Sequence, residues 1–160
     1  MWKLPLIVIV ENNRYGMGTA FERVSAVGEV YRKASAFDIP GVKIDGNDVL
    51  AVRDTVRQMA ERSRTGGGPQ LIEAITYRFR GHSMGDPQRY RSREEVEEAK
   101  ARDPIVHWKR TVLENDLASE AELQKIRDEV EAEVEDAVRF AENSPAPDPG
   151  ELRNDVLVPE

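Results

Sequence analysis

The sequence predicts an α/β protein, in which a parallel sheet with crossover helices is followed by a C-terminal helical segment. Three short apolar stretches, at residues 5–10, 41–45 and 70–77, are separated by segments with helical spacing. Strands that alternate with helices favour a parallel sheet with right-handed crossovers. From residue 93 onward, apolar residues recur every three or four positions, as they do along one face of a helix.

The first apolar stretch gives the clearest strand signal. "PLIVIV", residues 5–10, is short, β-branched and apolar throughout, which is the pattern of a strand covered on both faces. Thr19 precedes Glu22 by three residues, so we expect a capping box and the start of a helix there. A further short helix is expected over residues 28–37.

The second and third strands enclose one helix. Residues 41–45, "GVKID", alternate as a strand does, and Asn47 or Asp48 can cap the helix that follows. The apolar residues on one face of that helix are Val52, Val56, Met59 and Ala60. The glycines of "TGGGP", residues 65–69, end the helix, and "QLIEAITY", residues 70–77, is the third strand.

The remainder divides into a loop and helices. Residues 78–92 lack periodicity and are rich in glycine, proline and charge, which predicts a long loop. Helices are expected over residues 93–102, 104–116 and 119–142, with capping-box spacings at Ser92–Glu95 and Ser119–Glu122. We therefore expect a single incomplete domain with an α/β half (1–77), a long loop (78–92) and a helical tail with an extended C-terminus (93–160).

Composition excludes several classes of protein. The chain has no cysteine, so a disulfide framework, a thiolate metal site and a cysteine nucleophile are ruled out. The longest apolar run has five residues, Leu6 to Val10, far below the length of a membrane span. The first residues lack the pattern of an export signal, so a cytoplasmic location is expected.

The net charge of -7 is unevenly distributed. Residues 1–93 hold 15 basic and 10 acidic residues, a net charge of +5, whereas residues 94–160 hold 8 basic and 20 acidic residues, a net charge of -12. Five arginines lie between Arg78 and Arg93, and they suit a phosphate-bearing ligand or an acidic partner. Nucleic-acid binding is disfavoured, because the chain is acidic and its arginines have little aromatic interleaving.

A pair of amides follows the first strand. In open parallel sheets, ligands bind beyond the carboxyl ends of the strands, where Asn12 and Asn13 are expected to lie. An amide oxygen and a backbone carbonyl from the following turn suit a hard cation such as Mg²⁺. Gly16 and Gly18 allow the backbone to approach a ligand closely. The alternative is a plain turn in which Asn and Gly serve only the turn geometry.

The second candidate stretch is "RFRGHSMGDP", residues 78–87, which leaves the third strand at the same end of the sheet. An exposed His82 can transfer protons or donate to a phosphate. Ser83, beside arginines, can accept a phosphoryl group. The alternative is that His82 is an ordinary surface residue. His107, in the apolar-flanked "PIVHWKR" helix, is expected to be structural.

Together these stretches resemble one enzyme family. "WKLPLIVIVENNRYGMGT", "YRFRGHSMGDPQRYRSREEV" and the later "DPI" are similar to the alpha subunits of thiamine-diphosphate-dependent pyruvate dehydrogenase components, within the 2-oxoacid and acetoin dehydrogenase alpha family. The resemblance covers nearly the whole chain. It implies a thiamine-diphosphate-binding fold, of which this chain would form a part.

The resemblance implies roles for five residues. The Asn13 amide oxygen and the Tyr15 backbone carbonyl would be ligands of Mg²⁺, and Gly16 would lie against the diphosphate. His82 would reach the cofactor, position it and serve acyl transfer. Ser83 matches the position that is phosphorylated in mitochondrial relatives. A phosphate there would add about -1.5 to -2 charges beside the diphosphate, so inhibition is expected.

The resemblance also implies a reaction and partners. Pyruvate is decarboxylated, and the acetyl group passes to the lipoyl group of a separate acyltransferase. The alpha subunit assembles with a beta subunit as an α2β2 heterotetramer, and a glutamate of the beta subunit activates the cofactor. Two alternatives remain open: an acetoin dehydrogenase alpha subunit, and a non-catalytic fragment or interaction module.

One part of the family's cofactor motif is absent. Gly-Asp-Gly, which carries the charged magnesium ligand of the family, does not occur in these 160 residues. Hard cations favour anionic oxygens, so its loss is expected to weaken the site. A sheet that opens with a strand covered on both faces also needs further cover. We therefore expect the C-terminal part of an alpha subunit, inactive when alone.

Overall fold

The computed structural model describes residues 2–154 and residue 156, and the chain forms two compact units that divide between Thr111 and Val112. The strands are β1 (Ile7–Asn12), β2 (Tyr15–Gly16), β3 (Thr19–Ala20), β4 (Gly41–Asp45) and β5 (Gln70–Ile75). Three of them form a parallel sheet in the order β1-β5-β4, and β2 pairs with β3 in an antiparallel ribbon. The predicted α/β class with a parallel sheet is confirmed.

β5 is the central strand and sets the position of the site. Its Ile72 and Ala74 are buried among the few apolar core residues of the described chain. The parallel register places Ile75, the last residue of β5, opposite both Asn12 and Asp45. The carboxyl ends of all three strands therefore meet at one edge of the sheet, as the sequence predicted.

β1 differs from the prediction in its bounds and in its cover. It begins at Ile7 rather than at Pro5, and it is an edge strand that pairs with β5 on one side. Val8 is 40% exposed and Ile9 is 55% exposed, so the expectation of cover on both faces is wrong for the described residues. An apolar run shows that a strand can be buried, but it does not say which segment buries it.

The helix predicted to start at Thr19 is also wrong. Thr19 pairs with Gly16 in the β2–β3 ribbon, so its backbone is extended. Only a single 3₁₀ turn follows, Phe21–Arg23, whose N-cap is Ala20 without a side-chain hydrogen bond. Thr19 and Glu22 have the spacing of a capping box, but the pairing of Thr19 with β2 keeps its backbone extended, so no α-helix begins there. The short helix expected over residues 28–37 is a 3₁₀ helix, Val30–Phe37.

The described residues also contain four α-helices: α1 (Val49–Arg62), α2 (Arg93–Lys100), α3 (Pro104–Glu114) and α4 (Glu120–Asn143). A 3₁₀ helix, Pro149–Arg153, interrupts the C-terminal segment that was expected to be extended. Asp48 caps α1, because its Oδ1 accepts from the backbone N–H of Leu50 at 2.9 Å and of Ala51 at 3.1 Å. A π-helical turn follows α1, and there Gly66 adopts a φ of +89°. The predicted loop over residues 78–92 lacks regular structure, but it begins two residues earlier than predicted, because β5 ends at Ile75 and not at Tyr77.

In the second unit, α4 begins with the predicted capping box. The Ser119 hydroxyl accepts from the Glu122 N–H at 3.3 Å, and the Glu122 carboxylate accepts from the Ser119 N–H at 2.8 Å. Across residues 2–154 and 156, helices long and apolar enough to cross a membrane are absent.

Candidate functional site

The two asparagines at the end of β1 have different environments. Asn12 is buried; its Nδ2 donates to Glu73 Oε1 at 2.7 Å, and its Oδ1 accepts from the Arg14 N–H at 3.1 Å. Asn13 is half-buried, and its Oδ1 accepts only a long bond of 3.3 Å from the Tyr15 N–H. An amide oxygen has two acceptor sites. Burial leaves the second acceptor site of Asn12 inaccessible to a ligand, whereas the half-buried Asn13 keeps an acceptor site that a ligand can reach.

Glu73 holds Asn12 in place from the central strand. It is 1% exposed, and its second carboxylate oxygen accepts from the Tyr31 N–H at 3.0 Å. Burial alone would raise the pKa of Glu73, but the hydrogen bonds from Asn12 and from the backbone of Tyr31 outweigh it, so the pKa is lowered. We did not predict this residue. The signal was a lone acid between apolar residues of the strand, Ile72 and Ala74.

The β2–β3 ribbon carries the other predicted cofactor residues. Tyr15 and Gly16 form β2, directly after Asn13. Gly16 is exposed, and a Cβ placed on it would meet no atom within 4 Å, so its backbone is open to a ligand. Gly18 is different, because a Cβ there would lie 2.9 Å from the Tyr90 ring. A glycine at position 18 thus lets the loop after β5 pack on the ribbon.

Arg78 joins the histidine loop to this ribbon. Its guanidinium donates to the Met17 carbonyl at 2.6 Å and to the Tyr90 hydroxyl at 3.2 Å. The same guanidinium lies 3.4 Å from His82 Nδ1. An open cleft of about 550 Å³ lies between the two segments and is lined by His82 and Ser83, both exposed, together with Met17.

Asp86 fixes the turn that presents His82. Its carboxylate accepts from the N–H groups of His82 and Gln88, each at 2.8 Å, and from the Tyr90 hydroxyl at 2.7 Å. The bond from Tyr90 and the two backbone bonds lower the pKa of Asp86 to about 2. The contact of Asp86 with His82 was not predicted from the sequence.

Arg91 packs inside a group of aromatic rings. Its guanidinium carbon lies 5.9 Å from the ring centroid of Tyr15, 5.3 Å from that of Tyr77 and 5.7 Å from that of Tyr90. The carbonyl oxygens that accept from this guanidinium belong to Arg78, Phe79 and Arg80. Arg91 therefore ties the start of the loop to the ring of Tyr15.

Glu95 links α2 to the same tyrosines. One carboxylate oxygen accepts from the hydroxyls of both Tyr15 and Tyr77, each at 2.8 Å. Burial, together with this hydrogen bond and the charge of Glu95, raises the pKa of Tyr15 to about 12. Ser92 does cap α2, since its hydroxyl accepts from the Glu95 N–H at 3.1 Å. The capping-box spacing predicted that the Glu95 carboxylate would bond to the backbone at the start of α2. It accepts from the hydroxyls of Tyr15 and Tyr77 instead.

The donor atoms fit one part of a magnesium shell. Asn13 Oδ1 and the Tyr15 carbonyl are neutral oxygens of the kind that Mg²⁺ binds. A group of three or more His, Asp or Glu side chains that could hold a metal is not found among the described residues. The pair therefore needs an anionic ligand from another segment. His107 lies in α3 and does not line the His82 cleft; its Nδ1 is 3.1 Å from Arg110 Nη2.

Comparisons with known proteins agree with the resemblance. A family model described as "Dehydrogenase E1 component" matches residues 1–150. The pyruvate dehydrogenase E1 component subunit alpha of Porphyra purpurea is 50% identical over 96% of this chain and 44% of its own length. That of Rickettsia felis is 46% identical over 98% of this chain and 48% of its own length. The chain thus spans about half the length of the curated relatives it matches.

Proposed function

Because this chain belongs to the dehydrogenase E1 component family, we propose that it forms part of the thiamine-diphosphate site of a pyruvate dehydrogenase alpha subunit. The observation that carries the proposal is the bond from Arg78 to the Met17 carbonyl. It brings the loop of His82 against the ribbon that begins at Tyr15. Two segments that the sequence singled out separately thereby border one cleft, through Met17 and Gly18 of the first and His82 and Ser83 of the second. Asn13, Tyr15 and Gly16 do not line this cleft and lie just before Met17 on the first segment.

Each residue has a distinct role in this proposal. Asn13 and Tyr15 would hold Mg²⁺ through an amide and a carbonyl oxygen, and the open backbone at Gly16 would leave room for the diphosphate. His82 lies at the rim of the cleft, where its imidazole can position the cofactor and hold or deliver a proton during acyl transfer. Bound thiamine diphosphate would supply the electron sink that allows a 2-oxoacid to lose its carboxyl group.

The names of the relatives support the proposed substrate, and the family resemblance supports the proposed partners. Several carry the name pyruvate dehydrogenase E1 component subunit alpha, which favours pyruvate over acetoin. We propose that the acetyl group is passed to the lipoyl group of an acyltransferase. A beta subunit completes the site in an α2β2 assembly and contributes the glutamate that activates the cofactor. The 160-residue chain alone is inactive, since its two metal donors are neutral.

Ser83 is the proposed regulatory position. It is exposed on the cleft and directly follows His82. A phosphate on Ser83 would add about -1.5 to -2 charges next to the proposed diphosphate position and to the ionised Asp86. Repulsion is expected to displace both the loop and the cofactor, and so to reduce activity.

Reconstitution tests the proposal. The chain is combined with the Gly-Asp-Gly-containing segment of a relative and with a beta subunit, and release of CO₂ from pyruvate is measured. The full mixture is expected to release CO₂ from pyruvate. This activity is expected to be lost when the His82→Ala variant is used in place of the unmodified chain. His107→Ala, a histidine away from the cleft, is the matched control. Equal activity of the His82→Ala and unmodified mixtures would refute the role of His82.

A further inference from the structure

α4 carries an apolar stripe that is open to solvent. The stripe consists of Leu123, Ile126, Val130, Val134, Ala137, Val138 and Ala141, at the spacing of one helix face. Ile126, Val130, Val134 and Val138 are each between 51% and 58% exposed. A surface helix normally buries such a stripe, so this one is free to dock in the 160-residue chain.

The borders of the stripe are acidic on both sides. Glu122, Glu129 and Glu133 follow one border, and Glu120, Glu131, Glu135 and Glu142 follow the other. Over its whole length α4 has nine acidic and three basic residues, a net charge of -6. The three basic side chains pair within the helix, Lys125 with Glu129 at 3.8 Å, Arg127 with Glu131 at 3.3 Å and Arg139 with Asp136 at 3.1 Å.

This charge pattern disfavours a second copy of the chain as the occupant. Two copies of α4 would bring acidic borders together in either orientation, and like charges across a helix pair are destabilising. An anionic membrane is disfavoured for the same electrostatic reason.

We propose that α4 is a docking surface for a helix of a partner protein whose apolar stripe is bordered by lysine or arginine. The partner buries its stripe against that of α4, and its basic borders lie along the two acidic rows. This is helix-to-helix recognition in which apolar contact gives affinity and charge selects the partner. The inference depends on α4 alone and not on the cofactor site.

Two synthetic helical peptides test the surface on the full 160-residue chain. Both carry the same leucine stripe, and one has lysine borders while the other has glutamate borders. By isothermal titration calorimetry, the lysine peptide is expected to bind at least about tenfold more tightly, and the difference is expected to shrink in high salt. Val134→Asp is expected to weaken binding about tenfold, the contribution of one buried valine.

Ala132→Asp provides the matched control, because it adds the same charge on the opposite side of α4. It is expected to retain binding, and circular dichroism verifies that both variants keep their helix content. Equal affinity for the two peptides would overturn the proposal. So would an equal loss of affinity for the lysine peptide in Val134→Asp and Ala132→Asp. So would a dimer in sedimentation velocity that Val134→Asp dissociates, since a second copy would then be the occupant.

Discussion

Replacement of Glu73 by glutamine should destabilise the first unit substantially. The carboxylate is 1% exposed and accepts from Asn12 Nδ2 at 2.7 Å and from the Tyr31 N–H at 3.0 Å. A glutamine amide has one acceptor oxygen, so one of these two donors would face an NH₂ group. A hydrogen bond to a charged group contributes about 1.5–3 kcal/mol, and a buried unsatisfied group costs about 1–3 kcal/mol. We expect Glu73→Gln to lower the free energy of unfolding by about 3 kcal/mol.

Urea denaturation followed by circular dichroism at pH 7 measures this loss. Glu61→Gln, on the exposed surface of α1, is the control and should stay within about 0.5 kcal/mol of the unmodified chain. The pKa of folded Glu73 lies below its ordinary value of 4.5, so its stabilisation is present above pH 4.5 and is lost as the pH falls through the folded pKa. The difference in unfolding free energy between the unmodified chain and Glu73→Gln should therefore become smaller in acid. Equal stability at pH 7, or a gap that widens in acid, would refute the reasoning.

Two further predictions concern the packing of the loop and of α2. Gly18→Ala should cost about 1–3 kcal/mol of unfolding free energy, because its Cβ would lie 2.9 Å from the Tyr90 ring; Gly16→Ala, with no atom within 4 Å, is the control in the same urea assay. Glu95→Gln should lower the pKa of Tyr15 from about 12 towards its ordinary value of 10.0, as measured by the absorbance of ionised tyrosine. An unchanged tyrosine titration would show that Glu95 does not control Tyr15.

Local chemistry made some elements predictable from the sequence. β4 coincides with the predicted 41–45, and the capping box at Ser119 forms as expected. In both cases the decisive interactions lie within a few residues: an alternating pattern for the strand and a reciprocal side-chain bond for the helix start. The same local reasoning failed at Thr19, where pairing with β2 replaced the helix.

Long-range contacts explain what the sequence did not reveal about the site. Asn12 and Glu73 are 61 residues apart, and Tyr15 and Glu95 are 80 residues apart. Sequence spacing carries no information about such pairs. The resemblance pointed to Asn13 as the ligand, whereas the bond that gives Asn12 a structural role was visible only in the fold. His82 was identified as a loop histidine, whereas its attachment through Asp86 was visible only in three dimensions.

The central claim is that Asn13 belongs to a magnesium–diphosphate site. Calorimetric titration of Mg²⁺ and thiamine diphosphate into the chain assembled with a relative's Gly-Asp-Gly segment and a beta subunit tests it directly. Asn13→Ala should weaken magnesium-dependent binding by at least about tenfold, because loss of even an outer-shell partner costs that much. Asn143→Ala, at the end of α4, should have no effect. Undiminished binding by the Asn13→Ala protein would contradict the account.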